Sequence, residues 1–137
     1  MFAVLDTNVL ISGLRSSTGA SHAVLNAVRS GQIKISLSVS LAIEYEDVAL
    51  RPGMVPGLTP TQIGVVIDVL CALAHHQKVF FMWRPHLPDP GDDMVLELAL
   101  AAGSPYIITN NIKDFADCET LGIQAIKPAE ALNLIKP

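Results

Sequence analysis

The stretch that decides the fold is the N-terminal one, Met1-Phe2-Ala3-Val4-Leu5-Asp6-Thr7-Asn8. An unbroken apolar run of this kind is typical of a strand that helices cover on both faces. The acid that follows the run opens a predicted turn, Asp6-Thr7-Asn8, in which aspartate and asparagine are favoured. In open parallel sheets, ligands bind outside the carboxyl ends of the strands. The sequence therefore predicts a buried strand from Phe2 to Leu5 that presents Asp6 at a binding edge.

Strand and helix signals alternate along the rest of the chain, which favours a three-layer α/β/α domain around a parallel sheet. Nothing divides the chain, so residues 1–137 are predicted to be a single domain. Helices are expected over residues 21–30, from the capping serines to about 50, from Thr59 to about 76, from the Asp92-Asp93 pair to 103, shortly after Asp114, and from Pro128 onward. A proline-rich loop is expected over residues 84–91. The five predicted strands cover residues 2–5, 33–37, 78–82, 106–109 and 124–126.

The composition narrows the class of protein. Half of the residues are hydrophobic, 16% are charged and the net charge is −4. So little charge favours an apolar surface covered by a partner or a second copy, and a negative balance argues against binding nucleic acid by general attraction unless a metal neutralises some of the acids. The longest apolar run, residues 63–74, is too short to span a bilayer. Two cysteines outside any zinc spacing fit a reducing compartment, so we expect a cytoplasmic protein.

Four acids fall where a right-handed parallel sheet would bring them to one edge: Asp6, Glu44, Asp93 with Asp92 beside it, and Asp114. Clustered carboxylates repel one another, so the cluster is costly unless a cation lies between them. Mg²⁺ or Mn²⁺ is the natural cation for an all-oxygen site. Such an ion lowers the pKa of a bound water and polarises a phosphate. The acids therefore predict phosphodiester hydrolysis.

Each acid also has an ordinary structural explanation. Asp6 can simply close a turn, and Asp92 and Asp93 can satisfy a helix N-terminus. Glu44 can belong to a solvated helix face, and Asp114 can cap the short helix. Nearby polar groups favour the functional interpretation because they could orient the acids or a metal-bound water: Thr7, Asn8 and Thr109. Three basic residues flank the acidic segments and are candidate phosphate contacts: Arg15, Arg51 and Lys113.

Taken in order, the acidic segments resemble the PIN domain. The resemblance spans almost the whole chain and is closest to the bacterial branch that contains the toxins of toxin–antitoxin systems. It rests on four segments: Val4-Leu5-Asp6-Thr7-Asn8, Glu44-Tyr45-Glu46, Asp89-Pro90-Gly91-Asp92-Asp93, and Thr109-Asn110-Asn111-Ile112-Lys113-Asp114-Phe115.

The resemblance implies a five-stranded parallel sheet and a Mg²⁺- or Mn²⁺-dependent ribonuclease that acts on single-stranded RNA. It implies that the four catalytic and metal-binding acids are Asp6, Glu44, Asp93 and Asp114. It also implies two partners, a cognate antitoxin protein and a second copy in a homodimer. Many members carry an aspartate at the position of Asn111. The neutral amide there predicts a lower metal affinity.

Two alternatives remain open on the sequence. The first is a PIN-like module that binds RNA or protein with little or no catalysis. The second is a phosphotransferase or phosphatase that uses Asp6 as nucleophile, although the related haloacid-dehalogenase pattern wants Asp-x-Asp, and this chain has Asp6-Thr7-Asn8.

Overall fold

A computed structural model describes residues 1–79 and 90–136, and its centre is a parallel sheet. The five described strands are β1 (Phe2–Leu5), β2 (Lys34–Leu37), β3 (His75–His76), β4 (Tyr106–Ile108) and β5 (Gln124–Ile126). They lie in the order β3-β2-β1-β4-β5, and all four neighbouring pairs are parallel. The predicted α/β class with a five-stranded parallel sheet is confirmed.

Six helices surround this sheet in the described part of the chain. They are α1 (Thr7–Arg15), α2 (Ala20–Arg29), α3 (Val39–Ala49), α4 (Pro60–Leu73), α5 (Pro90–Ala102) and α6 (Pro128–Ile135). The central strand shows why the core forms here, because Ala3, Val4 and Leu5 are completely buried. Among residues 1–79 and 90–136, no helix combines the length and the apolar character needed to cross a membrane.

The start of α4 follows from its sequence. Thr59 accepts a hydrogen bond from the backbone N–H of Gln62 at 3.2 Å, and the Gln62 side chain accepts one from the Thr59 backbone at 2.9 Å. Pro60 occupies the first helical position, where a missing N–H costs nothing. The predicted capping box is confirmed.

The segment after Asp6 is a helix, so the predicted turn Asp6-Thr7-Asn8 is wrong. Asp6 has extended backbone angles and occupies the N-cap position of α1, although its side chain caps no backbone N–H there. The helix forms because Val9, Leu10 and Gly13 recur at helical spacing and are buried. The short helix was not predicted because Asp6 and Asn8, at its start, are residue types that also favour turns.

The third strand lies earlier than predicted. His75 and His76 pair with Ser36 and Leu37 at the edge of the sheet, after α4 has ended at Leu73. Of the predicted strand over residues 78–82, residues 78 and 79 have no strand structure and residues 80–82 lie outside the described residues, as does most of the predicted loop over 84–91. An edge strand tolerates exposed polar side chains, so two histidines can form it without an apolar signal.

After β4 the chain forms two 3-10 turns instead of one helix after Asp114. The first turn, Ile112–Phe115, contains Asp114, and the second is Cys118–Leu121. Phe115 and Cys118 are buried and tie these turns to the core. The turns keep the segment after β4 close to the carboxyl end of the sheet.

Candidate active site

The strand order places a crevice between β1 and β4. From β1 the chain adds β2 and β3 on one side and then β4 and β5 on the other, so the order reverses at β1. Leu5 lies beside Ile108, and the backbone N–H of Asp6 donates to the Ile108 carbonyl at 2.9 Å. Asp6 and Thr109 therefore leave neighbouring strands together at the position where parallel sheets bind ligands.

Thr109 holds the Asp6 carboxylate. Its hydroxyl donates to Asp6 Oδ2 at 2.8 Å. The Thr109 hydroxyl oxygen in turn accepts from the backbone N–H of Asn111 at 3.0 Å and from Asn8 Nδ2 at 3.4 Å. A threonine hydroxyl has a single proton, so these two donors direct that proton to Asp6. Thr109 is completely buried and Asp6 is only 8% exposed, so the pair is shielded from water.

Burial raises the pKa of Asp6 above its usual value, because removal from water penalises the charged carboxylate. Hydrogen bonds from Thr109 and from the Thr7 backbone act in the opposite direction and lower this pKa. The negative charges of Glu44 and Asp114 raise it again. The fold therefore holds a carboxylate where it is disfavoured as an anion, and a cation would relieve the conflict.

The helix α3 is tied to the end of β1 by two side chains. The Thr7 hydroxyl donates to Glu44 Oε2. The neighbouring Tyr45 is completely buried, and its hydroxyl donates to the Leu5 carbonyl. Because Leu5 and Thr7 flank Asp6 in the chain, both bonds position Glu44 relative to Asp6.

Asp6 and Glu44 line one cavity of about 560 Å³, which we term the acidic cavity. This volume falls within the range of ligand sites, about 300–1,000 Å³. Asp92 supplies a third carboxylate to the wall, and Arg15 is the only basic residue among the lining side chains that the structure describes. The other lining residues are Thr7, Asn8, Ile11, Ser12, Ser16, Val48, Met54 and Gly91.

The remaining two predicted acids do not line the acidic cavity. Asp93 is buried, at 7% exposure, in the first turn of α5, and it is not among the residues that line the acidic cavity. Asp114 is exposed and lines a second cavity of about 580 Å³. We term this second one the lysine cavity; its lining residues are Asn110, Asn111, Ile112, Lys113, Asp114 and Lys127. Asp114 is still close enough to raise the pKa of Asp6.

The residues at the acidic cavity fit a hard divalent cation with few protein ligands. In residues 1–79 and 90–136, no group of three or more histidine, cysteine, aspartate or glutamate side chains could by itself hold a metal ion. Mg²⁺, however, usually keeps several waters and is bound through one or two carboxylates together with substrate phosphates. Asp6 and Glu44 offer that donor chemistry.

Two residues near the site, Tyr45 and Lys127, were not predicted from the sequence, and one predicted phosphate contact, Arg51, lies outside the site. Tyr45 gave no signal beyond its position next to Glu44. Lys127 directly follows β5, so the rule that ligands bind at carboxyl ends of strands could have identified it. Arg51, a candidate phosphate contact, pairs instead with Asp47 at 2.9 Å on the exposed end of α3.

The fold and the site together define an α/β protein with an acidic cavity at the switch point of a parallel sheet. The chain belongs to the PIN domain family, because the model of that family, described as PIN domain, matches residues 3–113. This membership confirms the family predicted from the acidic segments. PIN domains are generally nucleases, and these nucleases generally use divalent metal ions.

Among solved structures, the chain is similar to one in the crystal structure of VapBC2 from Rickettsia felis bound to a DNA fragment from their promoter. The TM-score is 0.61, and the match covers 93% of this chain and 98% of the other. Only 14% of the residues are identical, so the likeness concerns the fold alone. A comparison with curated protein sequences finds no match.

Proposed function

We propose that this chain is an endoribonuclease that cleaves single-stranded RNA with Mg²⁺ or Mn²⁺. The observation that carries this proposal is the buried Asp6 carboxylate, whose pKa is raised and which shares a cavity with Glu44 at the switch point of the sheet. Membership of a family of nucleases supports the same reaction class.

The side chains around the acidic cavity have distinct tasks. Asp6 and Glu44 would hold the ion, which when bound supplies an acidified water and polarises the phosphate. Thr109 and Thr7 fix the orientation of these two acids through their hydroxyl groups. Arg15, on the cavity wall, places a positive charge where it can bind a phosphate oxygen of the substrate.

Asp93 and Asp114 remain proposed members of the catalytic set, with different places in it. The family resemblance assigns both to the acids of the site. The negative charge of Asp114 also raises the pKa of Asp6. Asp92 lies on the cavity wall beside the predicted residue. Comparison of Asp92→Asn with Asp93→Asn would show which of the two carboxylates cleavage requires.

The biological role we propose is that of a toxin silenced by a cognate antitoxin protein in the cytoplasm. The acidic segments resemble the toxin branch of the family, and the fold is shared with a chain of VapBC2 from Rickettsia felis. Expression of the chain alone should arrest bacterial growth, whereas expression of its Asp6→Asn variant should not. Normal growth at equal, soluble expression of the unaltered chain would contradict the toxin role.

A second candidate function is a PIN-like module that binds RNA or protein without cutting it. The absence of a three-ligand metal group among the described residues favours this candidate, as does the neutral Asn111. The two candidates differ in their dependence on a divalent ion, so one set of measurements separates them.

The test is cleavage of single-stranded RNA by the purified chain in Mn²⁺, compared with chelator. The Asp6→Asn variant should lose about 100-fold or more in rate, because a bound metal contributes several kcal/mol of charge stabilisation. Glu44→Gln should also lose activity, whereas Glu46→Gln is the matched control, since Glu46 lies on the same helix but lines a different, exposed groove.

Thermal unfolding gives a second measurement on the same proteins. At an Mn²⁺ concentration 100 times Kd, binding should stabilise the unaltered chain by about 2.7 kcal/mol. The Asp6→Asn variant should lose this stabilisation. A chain that stays folded, binds RNA and cleaves nothing in Mn²⁺ would establish the binding module and reject the nuclease.

A further inference from the structure

The lysine cavity lies at the same edge of the sheet as the acidic cavity and has the opposite charge balance. We propose that it binds phosphates of the RNA strand next to the bond that is cut, with Lys113 and Lys127 as the phosphate contacts. This inference rests on the proposed function, because it names the path that the substrate takes past Asp6.

The two cavities are joined by hydrogen bonds and not merely near each other. Asn8 lines the acidic cavity, and its side-chain oxygen accepts from the backbone N–H of Asn110, which lines the lysine cavity, at 3.1 Å. Thr109 joins them a second time, since it donates to Asp6 at 2.8 Å and accepts from the Asn111 backbone at 3.0 Å. A strand that passes over the Asn8–Asn110 contact therefore enters both cavities.

The distribution of charge indicates which part of a nucleic acid each cavity can take. The acidic cavity has three carboxylates, Asp6, Glu44 and Asp92, against a single arginine, so it repels phosphate unless a cation is present. The lysine cavity has two lysines against Asp114, which leaves a net positive charge. Lysine ammonium groups attract phosphates without regard to base sequence.

Because the chain is negatively charged overall, binding of RNA requires basic residues close to the site. With a net charge of −4, the protein as a whole repels RNA. The basic residues that could compensate must lie at the site. Arg51 is paired with Asp47, and Lys34 begins β2 and so lies at the opposite edge of the sheet. Lys113 and Lys127 are exposed and lie at the edge that carries Asp6.

The shape and the remaining groups of the lysine cavity suit a polynucleotide backbone. Its volume of about 580 Å³ is similar to that of the acidic cavity. Asn110 and Asn111 add side-chain amides that can donate to phosphate or ribose oxygens. Backbone contacts of this kind fix the position of a strand but carry no sequence preference.

The experiment measures binding without cleavage. In the Asp6→Asn background, a fluorescein-labelled oligouridine is titrated with protein in a chelator, over a series of KCl concentrations, and the anisotropy is recorded. For single strands, the slope of log K against log salt changes by about 0.7 for each phosphate contact. Lys113→Gln and Lys127→Gln should each reduce the slope by about 0.7 and, in consequence, weaken binding about fourfold at 0.15 M salt.

Two further variants control for charge and for folding. Lys34→Gln removes a lysine from the opposite edge of the sheet and should leave both slope and affinity as they were. Lys127→Arg keeps the charge and should keep the slope, so a loss caused by damage to the start of α6 would be recognised. Circular dichroism checks that each variant is folded.

The outcomes separate this inference from the proposed function. If the unaltered chain cleaves RNA but the glutamine variants at positions 113 and 127 bind with unchanged slope, the lysine cavity is not part of the strand path and the inference is overturned. If the slope falls as expected but no variant or parent cleaves RNA, the phosphate contacts stand and the nuclease proposal fails. Equal slope changes in Lys34→Gln would also overturn the inference, since binding would then lack a defined site.

Discussion

Two threonine–carboxylate pairs lie at the same edge of the sheet and differ in their burial. Thr109 donates to Asp6, and this pair is 0% and 8% exposed. Thr7 donates to Glu44, and here the acid is half-buried on the wall of the cavity. The same hydrogen bond therefore joins the same two chemical groups in two different environments.

The difference shows how the protein can carry a buried anion at all. A hydrogen bond is stronger in a low-dielectric interior, and a buried group that loses its partner is correspondingly costly. Asp6 lines the same cavity as Glu44 but is only 8% exposed, so little solvent can replace the donor that Thr109 provides. Glu44 borders an open cavity, so water can take the place of Thr7. We infer that Thr109 is the more important positioning residue, and the predictions that follow test this ranking.

Of the two threonine variants, the larger effect is expected from Thr109→Val, which removes the hydroxyl and keeps the shape of the side chain. Groups that orient a metal ligand typically account for 10–100-fold in metal affinity or activity. The Thr109 hydrogen bond lowers the pKa of Asp6, so its loss should raise that pKa further. Metal affinity by calorimetry should fall about 10–100-fold, and the acidic limb of the pH–rate profile should move to higher pH.

The control for this variant is Thr109→Ser, which keeps the hydroxyl and deletes one methyl group. Serine should retain the position of the acidic limb, although it leaves a small void in a fully buried place. If serine and valine shift the pH profile equally, the hydroxyl does not act on Asp6 and the comparison between the two pairs breaks down.

A smaller effect is expected on stability when Asp6 itself is neutralised by Asp6→Asn. The pKa of Asp6 is raised in the folded protein, so the folded state binds the proton more tightly than the unfolded chain does. Stability is then lost as the pH rises from the unfolded pKa, about 3.9, through the raised folded pKa. Without metal at pH 7, the asparagine variant should therefore unfold a few degrees higher than the unaltered chain, since ~1 kcal/mol shifts Tm by about 4 °C at this size.

This stability gain should disappear in two conditions. Near pH 3 both proteins are neutral at position 6 and their Tm values should converge, and in saturating Mn²⁺ the unaltered chain should regain the difference. Asp68→Asn serves as control because Asp68 is exposed on α4. A lower Tm for the Asp6→Asn variant at pH 7 in chelator would show that the buried carboxylate stabilises the fold, contrary to its electrostatics.

Sequence reasoning located the parts of the site that depend on topology. The apolar run before Asp6 and the strand before Thr109 required only the rule that parallel strands end at one edge. It chose Asp93 over its neighbour Asp92, but neighbours on a helix point about 100° apart, and only the packing of α5 decides that Asp92 lines the acidic cavity. It named Asp114 as a site acid but expected a helix after this residue, whereas a 3-10 turn contains Asp114, which lines the lysine cavity.

The smallest effect is expected from Thr7→Val, which tests the pair whose acid is only half-buried. Valine keeps the buried shape at the start of α1 but no longer donates to Glu44. Partly solvated interactions with a charged group contribute about 0.2–1 kcal/mol, so the rate of RNA cleavage should fall no more than about two- to fivefold. Thr7→Ser should restore it. If Thr7→Val lowers the rate as much as Thr109→Val does, water does not replace the lost donor at Glu44. The acidic cavity would then be drier than its opening to solvent implies, and both acids would behave as buried charges that need a permanent partner.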